Sequence, residues 1–126
     1  MHDRSFLLRA LGWLHALPGP ALGAALVLWA TGCAPSLGGA VRAYEHGRYP
    51  EAMEELSAIE SDAQRWDSAS VARYALYRGL AHLALGDLAA VQFWFGRVEQ
   101  VLDADLATLS ASDAERLASA RAHLPR

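Results

Sequence analysis

The sequence predicts an all-α fold, a short solenoid of about two helix pairs closed by one C-terminal helix. Three observations carry that prediction. Residues 40–124 are rich in Ala, Leu, Arg and Glu, and their apolar positions recur at three- and four-residue intervals with no strand-like alternation. Proline occurs there only at Pro50. Gly47 and Gly86 each stand between two apolar-periodic runs, where a glycine closes one helix before the next begins.

The first helix is expected from about Ala40 to the Gly47 stop, with Val41 and Tyr44 on one face. In the second, Tyr49, Ala52, Met53, Leu56 and Ile59 form the apolar stripe, and Pro50 fits the first turn, where its missing N–H costs nothing. Glu51, Glu54 and Glu55 sit near its start, where the helix dipole favours negative charge. Ser68 is placed to cap the third helix, whose inward positions are Val71, Ala75, Leu76, Gly79 and Leu83. Asp87 caps the fourth, which buries Leu88, Val91, Phe95, Val98 and Leu102. After residues 103–110, Ser112-Asp113-Ala114-Glu115 reads as a capping box. A last helix follows through Leu117, Ala118, Ala120, Arg121 and Leu124, its polar face carrying Glu115, Arg116 and Arg121.

The N-terminal third has a different character. Arg4 and Arg9 precede a stretch in which, from Leu11 to Gly32, only His15 can carry charge, and residues 21–29 are its densest apolar part. Pro18-Gly19-Pro20 leaves an uninterrupted run of about a dozen residues, short of the roughly 20 that a spanning helix needs, which is the architecture of a signal peptide. Ala30-Thr31-Gly32-Cys33 at its end resembles a bacterial lipoprotein processing site, although that family prefers a larger aliphatic residue at the position of Ala30. The resemblance implies residues 1–32 as a signal peptide, cleavage before Cys33 and a thioether-linked lipid on Cys33, with palmitate among the acyl chains. Residues 33–39 would then form the lipidated start and tether, and residues 40–126 the helical domain. A lone Cys agrees with lipidation, having no partner within the chain for a disulfide. The alternative is an uncleaved signal anchor.

Without residues 1–32, nine Arg stand against thirteen Asp plus Glu, and Lys is absent. A net acidic chain is a poor match for nucleic acid or for electrostatic adhesion to anionic lipid, so membrane attachment would rest on acyl chains. The remaining length suits one small domain.

The turns also resemble one another. Ala43-Tyr44-Glu45-His46-Gly47-Arg48-Tyr49-Pro50-Glu51-Ala52 and Ala81-His82-Leu83-Ala84-Leu85-Gly86-Asp87-Leu88-Ala89-Ala90-Val91 both resemble the tetratricopeptide repeat. Gly47, Tyr49, Ala52 and Leu56 follow that family's spacing in the first unit, and Gly79, Gly86, Leu88, Val91 and Phe95 in the second. Val91 is larger than the expected Ala. The two Gly turns are 39 residues apart, against the usual 34 or so, which places an insertion in residues 61–68. The resemblance implies binding of an extended peptide or partner helix along the concave face of the A helices, at Val41, Tyr44, Glu45, Arg73, Leu76, Leu80 and Leu83. An apolar groove with one acid and one Arg suits an amphipathic segment. Two units are fewer than the roughly three such arrays usually need, so a partner or a second copy would complete the stack.

Phe93-Trp94-Phe95 places aromatics about 100° apart on a helix, so they cannot share one face. With Phe95 buried, Trp94 or Phe93 is a candidate partner anchor, and Trp66 in the insertion either fills a gap or lies exposed. His46, His82 and His123 lie on separate elements, and no HExxH, GxSxG, CxxC or P-loop pattern occurs; an enzyme is not expected, nor a metal or cofactor other than the lipid. Glu51, Glu54 and Glu55 read as a solvated helix start. The combined expectation is a lipid-anchored adaptor or assembly factor of the bacterial envelope, facing the periplasm from the outer membrane because Ala34 and not Asp follows the Cys. A structural, self-associating envelope lipoprotein is the rival.

Overall fold

The computed structural model describes residues 33–105 and 109–125. The signal-peptide expectation for residues 1–32, including Ala30-Thr31-Gly32, lies outside the described residues.

Ser36 adopts extended backbone, and its hydroxyl accepts from the Gly39 N–H at 2.9 Å, which starts α1 (Leu37–Glu45) three residues before the expected Ala40. At the other end Gly47 has φ 72°, a left-handed conformation that a side chain resists. The Arg48 N–H donates to the Ala43 carbonyl at 2.9 Å and the Gly47 N–H to that of Tyr44 at 2.9 Å, the paired closure of a Schellman turn. The same bonds recur at the second turn: Gly86 has φ 83°, Asp87 N–H donates to His82 at 3.0 Å and Gly86 N–H to Leu83 at 3.1 Å. Both glycines therefore act as the sequence predicts.

Helix α2 (Tyr49–Ala58) carries Pro50 in its first turn. Ile59 ends it and opens a four-residue helix, α3 (Glu60–Ala63), so the expected insertion at residues 61–68 begins as a helical turn and continues as the connection Gln64–Asp67. Helix α4 (Ser68–Ala84) is capped by Asp67, not Ser68: the Asp67 carboxylate accepts from the Ser70 N–H at 3.0 Å and its hydroxyl at 2.9 Å. Those two donors hold the Asp67 carboxyl below its usual range. Ser68 instead donates its hydroxyl to Asp105. Asp87 caps α5 (Leu88–Asp105), accepting from the Ala90 N–H at 3.2 Å as expected. Leu88, expected inside, is exposed.

The last helix, α6 (Ala111–Ala122), is capped by Ser110, whose hydroxyl accepts from the Asp113 N–H at 3.2 Å. The expected capping box at Ser112 does not form, because Asp113 is turned inward and buried at 3% exposure.

Helix α4 is central, packing against α1, α2, α3, α5 and α6. Its buried residues, among them Tyr74, Ala75, Leu76, Tyr77, Gly79 and Leu80, lie on several sides, as a helix enclosed by neighbours requires. α1 pairs with α2, and α4 with α5, each pair running in opposite directions. Tyr44 at the end of α1 meets Tyr49 at the start of α2, ring centroids 5.3 Å apart, and Ser68 at the start of α4 meets Asp105 at the end of α5. The second pair is close because residue 79 has no side chain: a Cβ there would lie 2.5 Å from the Phe95 ring. Among the described residues there is no strand, and no helix is long and apolar enough to cross a membrane.

Candidate functional site

The expected groove residues are brought together, but several of them are core. Val41, Leu76 and Leu80 are buried in one apolar cluster with Leu117 and Ala120 of α6, so no partner reaches them in this state. Tyr44 and Leu83 are half-buried at the edge of that cluster, and Glu45 is exposed.

What occupies the α1–α4 face is a polar network organised by α6. The Asp113 carboxylate accepts the Tyr77 hydroxyl at 3.0 Å on one oxygen and the Arg73 Nε–H at 3.0 Å on the other. Arg116, one turn later, donates to Glu45 of α1 at 2.8 Å and passes 6.0 Å from the Tyr77 ring centroid. Tyr44 meets Tyr77 edge-on at 5.6 Å. A phenol enclosed in this way resists ionising: burial first, then its hydrogen bond to the Asp113 carboxylate, push Tyr77 up to about 12. Burial, with Tyr49 close by, raises Tyr44 as well. The Arg73 side chain stays 44% exposed at the rim.

A second feature lies across α4. Tyr74 and Trp94 pack edge to face at 5.8 Å, Trp66 meets Tyr74 at 6.0 Å, and the Tyr74 hydroxyl donates to the Leu56 carbonyl at 3.1 Å. Trp66 is half-buried and fills the gap under α4. The Arg78 guanidinium stacks 4.7 Å from the Trp94 ring centroid, a cation–π contact of the kind that fixes both groups. Trp94, expected as the anchor, is thus largely committed to the interior. Phe93 is the aromatic left outside, 66% exposed, held edge-on to Trp94 at 5.1 Å. It lines a cavity of about 240 Å³ together with Tyr74, Ala75, Val71, Trp94, Glu60 and Arg97. Tyr74, Arg78 and Arg97 were not singled out by the sequence. The one sequence signal for this site was the aromatic triplet itself, because adjacent aromatics must diverge.

His46, His82 and His123 each lie at a helix end. His46 donates Nδ1–H to the Arg42 carbonyl at 2.7 Å, His123 to that of Ser119 at 2.7 Å, and His82 lies 3.3 Å from Asp87. Glu51 pairs with Arg48 at 2.9 Å, while Glu54 is exposed. Among the described residues no three His, Cys, Asp or Glu side chains converge as a metal ion would require. Cys33 is exposed, with only three residues between it and the start of α1. Those three residues span about 10 Å at full extension.

No family model, curated protein or solved structure matches this chain.

Proposed function

We propose that the chain is a lipid-anchored helical adaptor that holds a segment of another envelope protein close to a membrane. The observation that carries the reading is Phe93: a large aromatic, exposed yet oriented by Trp94, on a cavity whose aromatic and aliphatic wall is edged by Glu60, Gln64 and Arg97. Such a side chain offers binding energy at little cost in ordering, because its position is already set. The two matching Schellman turns and the close approach of Gly79 to Phe95 support the tetratricopeptide-like reading of two stacked pairs with α6 as the closing helix. Lipidation is supported by the exposed Cys33, separated from a capped helix by only three residues. The short tether would keep the domain within a few side-chain lengths of the bilayer, and Ala34 favours the outer membrane.

The test replaces Phe93 with the photoreactive p-benzoylphenylalanine in envelopes of the native host. Crosslinking to one envelope protein supports the adaptor; adducts only between copies of the chain assign it to self-association. Intact mass of the extracted protein tests the anchor. A mature chain beginning at Cys33 and carrying acyl mass supports it, and an unacylated chain that retains Met1 overturns it.

A further inference from the structure

The cavity beside Phe93 is continued past Arg97 by a second one. This second cavity, of about 250 Å³, shares Val71 and Arg97 with the first and is lined further by Trp66, Val101, Ala104 and Asp105. At about 100° per residue along α4, Val71, Tyr74 and Ala75 point away from Arg73 and Tyr77, so the trough lies off the side of α4 that α6 covers. Along α5 its lining includes Phe93, Arg97, Val101 and Asp105, which recur every fourth residue and so stand about 6 Å apart along the helix. Read in order, they offer an aromatic ring, a cation, an aliphatic side chain and an acid.

The charges on this trough differ in what answers them. Glu60, on α3, lies 3.9 Å from Arg78, whose side chain is only 12% exposed and also donates to Ser57 and stacks on Trp94. Its charge is matched within the fold. Arg97 is exposed and donates to the neutral Gln100 at 2.7 Å; among the described residues it has no carboxylate within ion-pair distance. Asp105 is exposed too, and accepts the Ser68 hydroxyl but pairs with no cation among the described residues. A ligand that sets a carboxylate on Arg97 and a cation on Asp105 supplies what the fold leaves open.

Resting on the adaptor reading, we infer that the partner segment lies extended along this trough and presents, on alternate residues, a large apolar side chain, an acid, an aliphatic side chain and a base. Alternate side chains of an extended chain share one face at intervals of about 6.6 Å, close to the interval between successive positions on α5. The apolar side chain enters the cavity at Phe93, the acid meets Arg97, the aliphatic residue enters the cavity at Val101 and the base meets Asp105. A segment with its two charges exchanged would set like charge against both Arg97 and Asp105, so the order of charges, not their sum, selects the partner.

The test uses the full chain in phosphatidylcholine nanodiscs and peptides labelled with fluorescein at the N-terminus and amidated at the C-terminus, read by anisotropy. FSDSVSK and its reverse KSVSDSF carry the pattern in the two chain directions; FSKSVSD and DSVSKSF have the same composition with the charges exchanged. The tighter of the first two is expected to bind at least fivefold better than its exchanged counterpart, and R97E, a change at an exposed side chain, is expected to erase that preference. Equal binding of matched and exchanged peptides, no binding of any peptide at millimolar concentration, or a preference that survives R97E overturns the inference. Competition by 3-phenylpropanoate at the affinity of the peptide assigns the first cavity to a small aromatic anion and overturns it as well. The adaptor reading fails separately: it falls if photocrosslinking through residue 93 captures no envelope protein, whereas binding blind to charge order with that crosslink intact overturns only the present inference.

Discussion

The Tyr77 hydroxyl and the Asp113 carboxylate, 36 residues apart in the chain and both buried, form a 3.0 Å hydrogen bond between α4 and α6. Arg73 completes the pair from the rim. Asp113→Ala would leave a buried phenol without an acceptor and an Arg without its counter-charge. Removing one partner of a buried polar pair costs about 3–5 kcal/mol, and the exposure of Arg73 brings the expectation toward about 2–3 kcal/mol. Asp113→Asn keeps an acceptor for Tyr77 and should cost about half as much. Urea unfolding of the three chains measures both differences.

Alkaline pH should weaken the same contact. Tyr77 is raised from 10.0 to about 12 in the folded chain, so folding favours the protonated phenol. The associated stability is fully present below pH 10 and is lost as pH rises through 10 toward 12. Tyr44 and Tyr74, also raised by burial, share in the loss. The thermal midpoint is expected to fall over that interval, and to fall less steeply in Tyr77→Phe. An identical slope in the variant would place the titration elsewhere.

The contrast between turns and caps shows what was legible in the sequence. Gly47 and Gly86 were readable because a left-handed residue after a helix is a local need, met within six residues of chain. The cap of α6 was misplaced because Ser110 and Ser112 are equivalent locally. What separates them is Asp113, drawn inward by Tyr77 and Arg73 from 36 and 40 residues away. The burial of the expected groove residues was hidden in the same way: Leu76 and Leu80 have the right spacing to line a concave face, and they share an apolar cluster with Leu117 and Ala120 of a helix far along the chain. The shift from Ser68 to Asp67 is a smaller case, settled by Asp105 taking the Ser68 hydroxyl. Of the aromatic triplet, divergence was legible, but the choice between Phe93 and Trp94 was not, since it depends on Arg78 and Tyr74 claiming the indole.

Two helix glycines should respond to alanine in opposite directions. At Gly79 the added Cβ would stand 2.5 Å from Cε1 of Phe95, a buried ring with little room to retreat. Overpacking of this kind costs about 1–3 kcal/mol. At Gly96, one residue past Phe95, a Cβ meets nothing within 4 Å. There the better helix propensity of Ala should stabilise by roughly 0.5–1 kcal/mol. Thermal melts of Gly79→Ala and Gly96→Ala compare both directions in one assay, and destabilisation by both would show that helix propensity does not govern residue 96.

Phe93 and Trp94 separate binding from folding. Phe93 is 66% exposed, so Phe93→Ser removes little buried area and should change stability by less than about 0.5 kcal/mol. Trp94 is packed on Tyr74 and stacked by Arg78, whose Nε is already without a hydrogen-bond partner. Trp94→Ala would remove the ring and leave that guanidinium without its stacking surface, at about 2–4 kcal/mol. If the aromatic pair serves a partner, a photoreactive group placed instead at Arg97, on the same cavity wall, should lose its crosslink in the Phe93→Ser chain while the melting curve stays put. Crosslinking that survives Phe93→Ser but disappears only when Trp94→Ala unfolds the chain would show that the aromatic pair holds the fold and recognises nothing.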